Sequence, residues 1–201
     1  MVRETCMKKS QRKQQAGATL LESLAFLGIA AIVVVGAISM FRAAQGSAQA
    51  NDMVGQLNGI RSSVKTLYAS QASYAINAAT ASASFPSLSA GKVSGPQGPL
   101  GPVLISAGAI PDTARISGGR IYNAFGGTIG VGGNNDSFWI VYTNVPQEVC
   151  LKVAPQIGGS WMGAQINSNP FVDTETQSFP VATADAQCTP GTSNTIAVQS
   201  R

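Results

Sequence analysis

The chain has 201 residues, 44% of them apolar and only 11% charged, well below the roughly 25% charged residues of an ordinary soluble domain. It contains no histidine, which excludes Ser-His-Asp and Cys-His catalysis, His-ligated zinc and histidine-based pH switching. The net charge of +4 resides in residues 1–17, where Arg3, Lys8, Lys9, Arg12 and Lys13 face Glu4 alone; the rest carries eight basic and eight acidic side chains, so no nucleic-acid partner is expected.

The basic leader, residues 1–17, ends in Gly17 and is followed by Ala18-Thr19-Leu20-Leu21-Glu22-Ser23. An unbroken weakly polar to apolar run follows from Leu24 to Phe41. Eighteen such residues are close to the minimum for a bilayer-spanning helix. The leader's positive charge places it in the cytoplasm and the C-terminal bulk outside. Two other readings stay open. Ser47-Ala48-Gln49-Ala50 offers a signal-peptidase site, which would release a soluble binding protein beginning at Asn51. A plain single-span anchor is the other, although Glu22 would then sit unpaired at the edge of the apolar run at a cost of roughly 2.5–3.5 kcal/mol at mid-bilayer.

Glu22 makes sense if a positive charge is brought to it. Cleavage after Gly17 creates an α-amino group on Ala18, four residues away on the chain. Leader, glycine, short apolar stretch, glutamate and long apolar helix together resemble the type IV pilins. Gly17-Ala18-Thr19-Leu20-Leu21-Glu22 matches the prepilin motif except at Ala18, where many members have phenylalanine or methionine. The resemblance implies cleavage after Gly17 by a prepilin peptidase, methylation of Ala18 and a role for Glu22 in assembly by neutralising a neighbour's amine.

Beyond Phe41 the pattern becomes amphipathic. Met53, Leu57, Ile60, Val64 and Leu67 recur at helical spacing, so one nearly continuous helix is expected from about Ala18 to about Ser73. Residues 18–42 form its apolar fibre-core or transmembrane half, and residues 43–76 an amphipathic half on a globular head, residues 77–201. Gly28, Gly36, Gly46, Gly55 and Gly59 are its weak points, or sites of close helix approach. Residues 77–101, Ala/Ser-rich and then Gly/Pro-rich, read as a long loop. Strands are predicted at Val103–Ser106, Arg120–Phe125, Gly127–Val131, Phe138–Val145, Trp161–Ile166, Phe179–Thr183 and Thr195–Gln199. Gly132 to Asp136 reads as a hairpin turn, and Pro146 to about Val153 as a short helix with the proline in its first turn. The predicted fold is α+β: a long N-terminal helix packed on an antiparallel sheet.

Cys150 and Cys188 lie in the exported part and Cys6 in the leader. In an oxidising compartment Cys150 and Cys188 most simply pair, with two buried thiols as the alternative. A C-terminal disulfide loop also resembles the pilin pattern, which makes residues 151–187 the expected fibre surface. Tyr122 to Gly127, Val145 to Cys150 and the long head resemble the type IVb branch, including PilS-like pilins.

No Walker loop, GxSxG or CxxC occurs. Asp173 and Glu175, which would share one face of a strand, and Asp136 beside Asn134 and Asn135 read as solvated carboxylates rather than a cation site. Trp139 and Trp161 read as core or subunit-contact aromatics. No enzyme activity, cofactor or metal is expected. The resemblance implies the major structural subunit of a type IV pilus supporting adhesion, aggregation or conjugative contact, with a minor pilin or secretion pseudopilin as the alternative. Its implied partners are copies of itself in a helical homopolymer, the prepilin peptidase, the assembly machinery and the inner membrane before export to an extracellular pilus.

Overall fold

A computed structural model describes residues 19–75, 100–191 and 194–201. Two compact units divide between Arg42 and Ala43. The first contains the apolar half of helix α1 (Leu20–Leu67), and the second contains the rest of α1 and the head. The leader, Gly17, Ala18 and most of the 77–101 loop lie outside the described residues.

In the second unit α1 buries the expected stripe. Met53, Leu57, Ile60 and Val64 are almost fully buried, joined by Ala50, while Leu67 is only partly covered. The helix stops at Leu67, six residues before the expected end. A turn follows, in which Gln71 N donates to Tyr68 O (2.9 Å), and Tyr74 N donates to Asn134 O (3.0 Å). The Tyr74 ring lies 5.0 Å from that of Phe138. Tertiary pairing with the sheet therefore wins over helix propensity at residues 68–75.

The stripe packs on a seven-stranded antiparallel sheet: β1 (Arg115–Ser117), β2 (Arg120–Tyr122), β3 (Thr128–Gly133), β4 (Phe138–Val145), β5 (Gly163–Ile166), β6 (Val172–Asp173) and β7 (Asn194–Ser200). Their spatial order is β1-β2-β3-β4-β7-β5-β6, so β7 is inserted between β4 and β5, pairing Ile140 with Val198 and Ala164 with Val198. Period-2 alternation in β4 turns Phe138, Ile140 and Tyr142 to the helix side. At its centre Tyr142 Oη donates to Gln56 Oε1 on α1 (3.3 Å). Burial drives the Tyr142 phenol pKa far upward, so it stays protonated and a donor.

Several local expectations change. Val103–Ser106 is not a strand: residues Gly101–Ser106 form a short helix, α2, with Pro102 in its first turn and Leu104 N bonded to Leu100 O at 3.0 Å. An apolar run of this length fits either element, and here Leu100 and Leu104 fall on one buried side. Phe179–Thr183 is also not a strand. Pro180 caps helix α4 (Val181–Gln187), whose alanine-rich sequence favours helix. The strand predicted to Phe125 ends at Tyr122, because Asn123 organises the turn. Its Oδ1 accepts from Phe125 N (3.0 Å) and Gly127 N (2.9 Å), and its Nδ2 donates to Thr143 O (2.8 Å). A Cβ on Gly127 would collide with the Thr143 carbonyl, so this position needs glycine. Gly132 and Gly133 belong to β3, leaving Asn134–Ser137 as the turn. The helix after Pro146 is α3 (Gln147–Val153), with the proline at the cap rather than in the first turn. β6 stops at Asp173, so Asp173 and Glu175 share no strand. Asp173 Oδ1 accepts from Glu175 N (2.9 Å), and Glu175 pairs with Arg201 (3.2 Å).

One buried side chain ties the end of the sheet together. Asn194 Nδ2 donates to Val145 O (3.2 Å) and Thr189 O (2.9 Å), and its Oδ1 accepts from Thr189 N (2.8 Å), Thr189 Oγ1 (3.0 Å) and Asn167 Nδ2 (2.9 Å). Asn194→Ala leaves several of these buried groups without partners. Each such orphan costs about 1–3 kcal/mol, so chemical denaturation should show a loss of about 2–4 kcal/mol in the mutant.

Candidate assembly site and head surface

Thr19-Leu20-Leu21-Glu22 has the spacing of a capping box. Half of it is formed: Glu22 N donates to Thr19 Oγ1 at 3.3 Å. The reciprocal bond from the Glu22 carboxylate is not made, and among the described residues that carboxylate has no partner. It stands exposed in the first turn of α1. There the partial positive charge of the helix N-terminus favours an anion.

Downstream, Leu24, Phe26, Leu27, Ile29, Ile32 and Val35 are all at least 60% exposed. Thirteen large apolar side chains between Leu20 and Phe41 are 47–79% exposed. Covering them releases on the order of 20 kcal/mol. The helix is long and apolar enough to cross a membrane. In this apolar half its serine hydroxyls are internally satisfied: Ser23 Oγ donates to Thr19 O at 3.1 Å and Ser39 Oγ to Gly36 O at 2.8 Å. Such a surface requires lipid or other apolar helices around it.

Where α1 enters the head, α3 grips it. Lys152 Nζ bonds Glu148 Oε1 (2.7 Å), Ser47 Oγ (3.0 Å) and the Ala43 carbonyl (3.2 Å). The Glu148 carboxylate fills the space a Cβ on Gly46 would take. Of the five helix glycines, Gly46 and Gly59, where a Cβ would lie 2.9 Å from Pro111 Cγ, are close-approach positions, and α1 runs unbroken through all five.

The structure joins Cys150, in α3, to Cys188, at the end of α4, with the Cα atoms 5.9 Å apart. Both are buried. The segment between them includes β5, β6 and α4, and presents Val181 at 67% and Phe171 at 42% exposure. Trp161, near its start, is buried in the core; Trp139 is buried beside Gly132 in β3.

Known proteins place this geometry. The "PilS N terminal" family model matches residues 76–201, well over half of the chain. The chain belongs to the PilS family of type IVb pilins. The pilin is 25% identical over 162 residues to the "Major structural subunit of bundle-forming pilus" of Escherichia coli O127:H6 (strain E2348/69 / EPEC), covering 78% of this chain and 72% of that one. The same figures hold for the subunit of that name from Escherichia coli O111:H-. Among solved structures, a type IVb pilin from Salmonella typhi is 26% identical with a TM-score of 0.41, covering 49% of this chain and 76% of that one. TcpA, a type IV pilin from Vibrio cholerae El Tor biotype, is 15% identical with a TM-score of 0.47, covering 76% and 99%.

A pilin is a structural subunit of a pilus, not an enzyme. In this one, Glu22 lies at the start of the apolar helix, away in sequence from the disulfide-bonded Cys150 and Cys188. Gly17 and Ala18 are outside the described residues. The free half of the capping box and the Lys152–Glu148 grip escaped the sequence reading. The first was legible as T-x-x-E spacing. The second depends on which helices meet, and only the i,i+4 spacing of Glu148 and Lys152 hinted at it.

Proposed function

We propose that this pilin is the major subunit of a type IV pilus, cleaved after Gly17, methylated on Ala18 and polymerised through its apolar helix. The observation that carries this reading is Glu22: a carboxylate without a partner among the described residues, at the head of a helix whose large apolar side chains from Leu20 to Phe41 are uncovered. In a bundle of such helices the carboxylate would lose its water. The α-amine of a neighbouring subunit offers the compensating charge. Before assembly the helix anchors the precursor in the inner membrane, with the leader cytoplasmic and the head outside; afterwards the head forms the fibre surface. The Escherichia coli relatives are named as major subunits of a bundle-forming pilus, which supports the same role here and self-association of fibres in aggregation or adhesion. Release as a soluble protein after Ala50 fits less well, since Ala50 is buried inside α1 against the head.

The test is the intact mass and N-terminal sequence of the exported protein. The expected product begins at a monomethylated Ala18 with the Cys150–Cys188 bond oxidised. A product beginning at Asn51 would overturn the polymerisation route, because the apolar helix would be gone.

A further inference from the structure

The head holds a cavity of about 200 Å3 between the last turns of α1, the segment leading into β5 and the end of β7. We propose that it binds one small oxyanion, a carboxylate, sulfate or phosphate, between Arg61 and Lys65.

Arg61 is fixed in place. Its Nε donates to Ser200 Oγ at 2.9 Å, and its guanidinium carbon lies 5.2 Å from the centre of the Trp161 ring. Ser200 Oγ in turn donates to the Arg201 carbonyl (3.2 Å), so it meets Arg61 as an acceptor. This arrangement uses one edge and one face of the guanidinium. The two Nη groups have no acceptor among the described residues. A planar fork held in this way suits the bidentate geometry of an oxyanion and loses little freedom on binding.

Lys65 lies one turn further along the same helix face and also lines the cavity. The ion pairs among the described residues are Lys152 with Glu148 and Arg201 with Glu175, so neither Arg61 nor Lys65 has a carboxylate. Two cations at i,i+4 repel each other unless an anion sits between them. Glu175, the single acidic side chain lining the cavity, is held by Arg201. Three cationic side chains against one acidic side chain leave the side-chain lining with an excess of positive charge, whereas the side chains of residues 18–201 are neutral overall. The stacking of Arg61 on Trp161 is sufficient reason for Arg61 in a folded head. It gives no reason for Lys65, which has no ion pair among the described residues, beside it. A cavity of this size is below the roughly 300–1,000 Å3 of drug-sized ligand pockets, so it suits a free ion or the acidic group of one sugar.

The two tryptophans give the experiment its readout, since Trp161 lines the cavity and Trp139 does not. The full-length pilin in neutral detergent is labelled with 15N and titrated at constant ionic strength with sulfate, phosphate, glucuronate and uncharged methyl glucuronate ester. Trp139→Phe assigns the two indole signals. The expected result is a saturable shift of the Trp161 signal with the anions, none with the ester, and an affinity about tenfold weaker in Lys65→Gln. Lys65 is exposed, so that variant keeps the fold, and an unchanged Trp139 signal verifies it. Glucuronate binding well ahead of sulfate would make the oxyanion sugar-borne; equal binding would make it a free ion. No saturable shift with any anion, or undiminished binding in Lys65→Gln, overturns the site.

Discussion

Glu22→Ala is expected to leave the precursor processed and inserted in the membrane, while the yield of fibres falls at least tenfold. Removing a carboxylate makes insertion easier, because a charged group near the bilayer interior costs roughly 2.5–3.5 kcal/mol. Assembly moves the other way. Each added subunit would bury an α-amine whose compensating charge is missing, and an orphaned buried charge costs more than the pair returns. If only about 2 kcal/mol were lost per subunit, the subunit concentration needed for growth would rise about thirtyfold. The loss would repeat at every addition.

The capping geometry supplies a competing explanation for the same mutant. Glu22 belongs to a half-formed capping box, and alanine would also remove an anion from the helix N-terminus, a contribution of about 0.3–1 kcal/mol. Glu22→Gln separates the two. Glutamine retains the size and capping ability of glutamate without its charge, and the Thr19 Oγ1 bond to the residue 22 amide is untouched. Fibre counts by electron microscopy, against pilin in the membrane fraction, should be as low for glutamine as for alanine. Wild-type fibres from Glu22→Gln would assign Glu22 to helix capping and sink its role in pairing subunits.

The long-range plan was legible because it rests on strong periodicities. Met53, Leu57, Ile60 and Val64 fixed the buried face of α1, and the aromatic and β-branched run Phe138–Val145 matches β4 residue for residue. Short segments were harder. The runs at 103–106 and 179–183 are apolar but only a few residues long, so their state depends on what they pack against. In both, a proline at the helix start decided the outcome: Pro102 in the first turn of α2 and Pro180 at the cap of α4. β1 and β6, of three and two residues, exist only through pairing with a neighbouring strand, which no local sequence pattern announces. Glu22 was legible as a motif because an acid in an apolar run is conspicuous. Arg61 and Lys65 were not: both read as polar residues between the stripe positions. Their common cavity appears only when β7 brings Ser200 and Arg201 alongside α1. Asn194 was equally silent, since its five hydrogen bonds reach residues up to 49 positions away.

The same Asn194 network bears on the disulfide. Cys150→Ala with Cys188→Ala opens a bond between residues 38 apart, for which the loop-entropy relation gives about 4 kcal/mol. For a chain of this size that corresponds to a Tm lower by roughly 8–16 °C. Near-UV circular dichroism of the full-length pilin in detergent, with and without reductant, should show that difference for the wild type and none for the double mutant. Even so, the segment should remain docked below its lower Tm. Gln147 Nε2 still donates to the residue 188 carbonyl (3.1 Å), Asn167 Nδ2 to Gln187 O (2.9 Å), and Thr189 N to Asn194 Oδ1 (2.8 Å). Disulfide and polar network therefore hold the same end of α4 from two directions. Their losses should be coupled rather than additive. Adding Asn194→Ala to the double mutant should release α4 locally, seen as fast protease cleavage between residues 181 and 191 at temperatures where the sheet is intact. If the triple mutant resists protease as well as the double, neither the covalent bond nor the network is what retains the segment, and the packing of Ala184 in the core holds that face of the head.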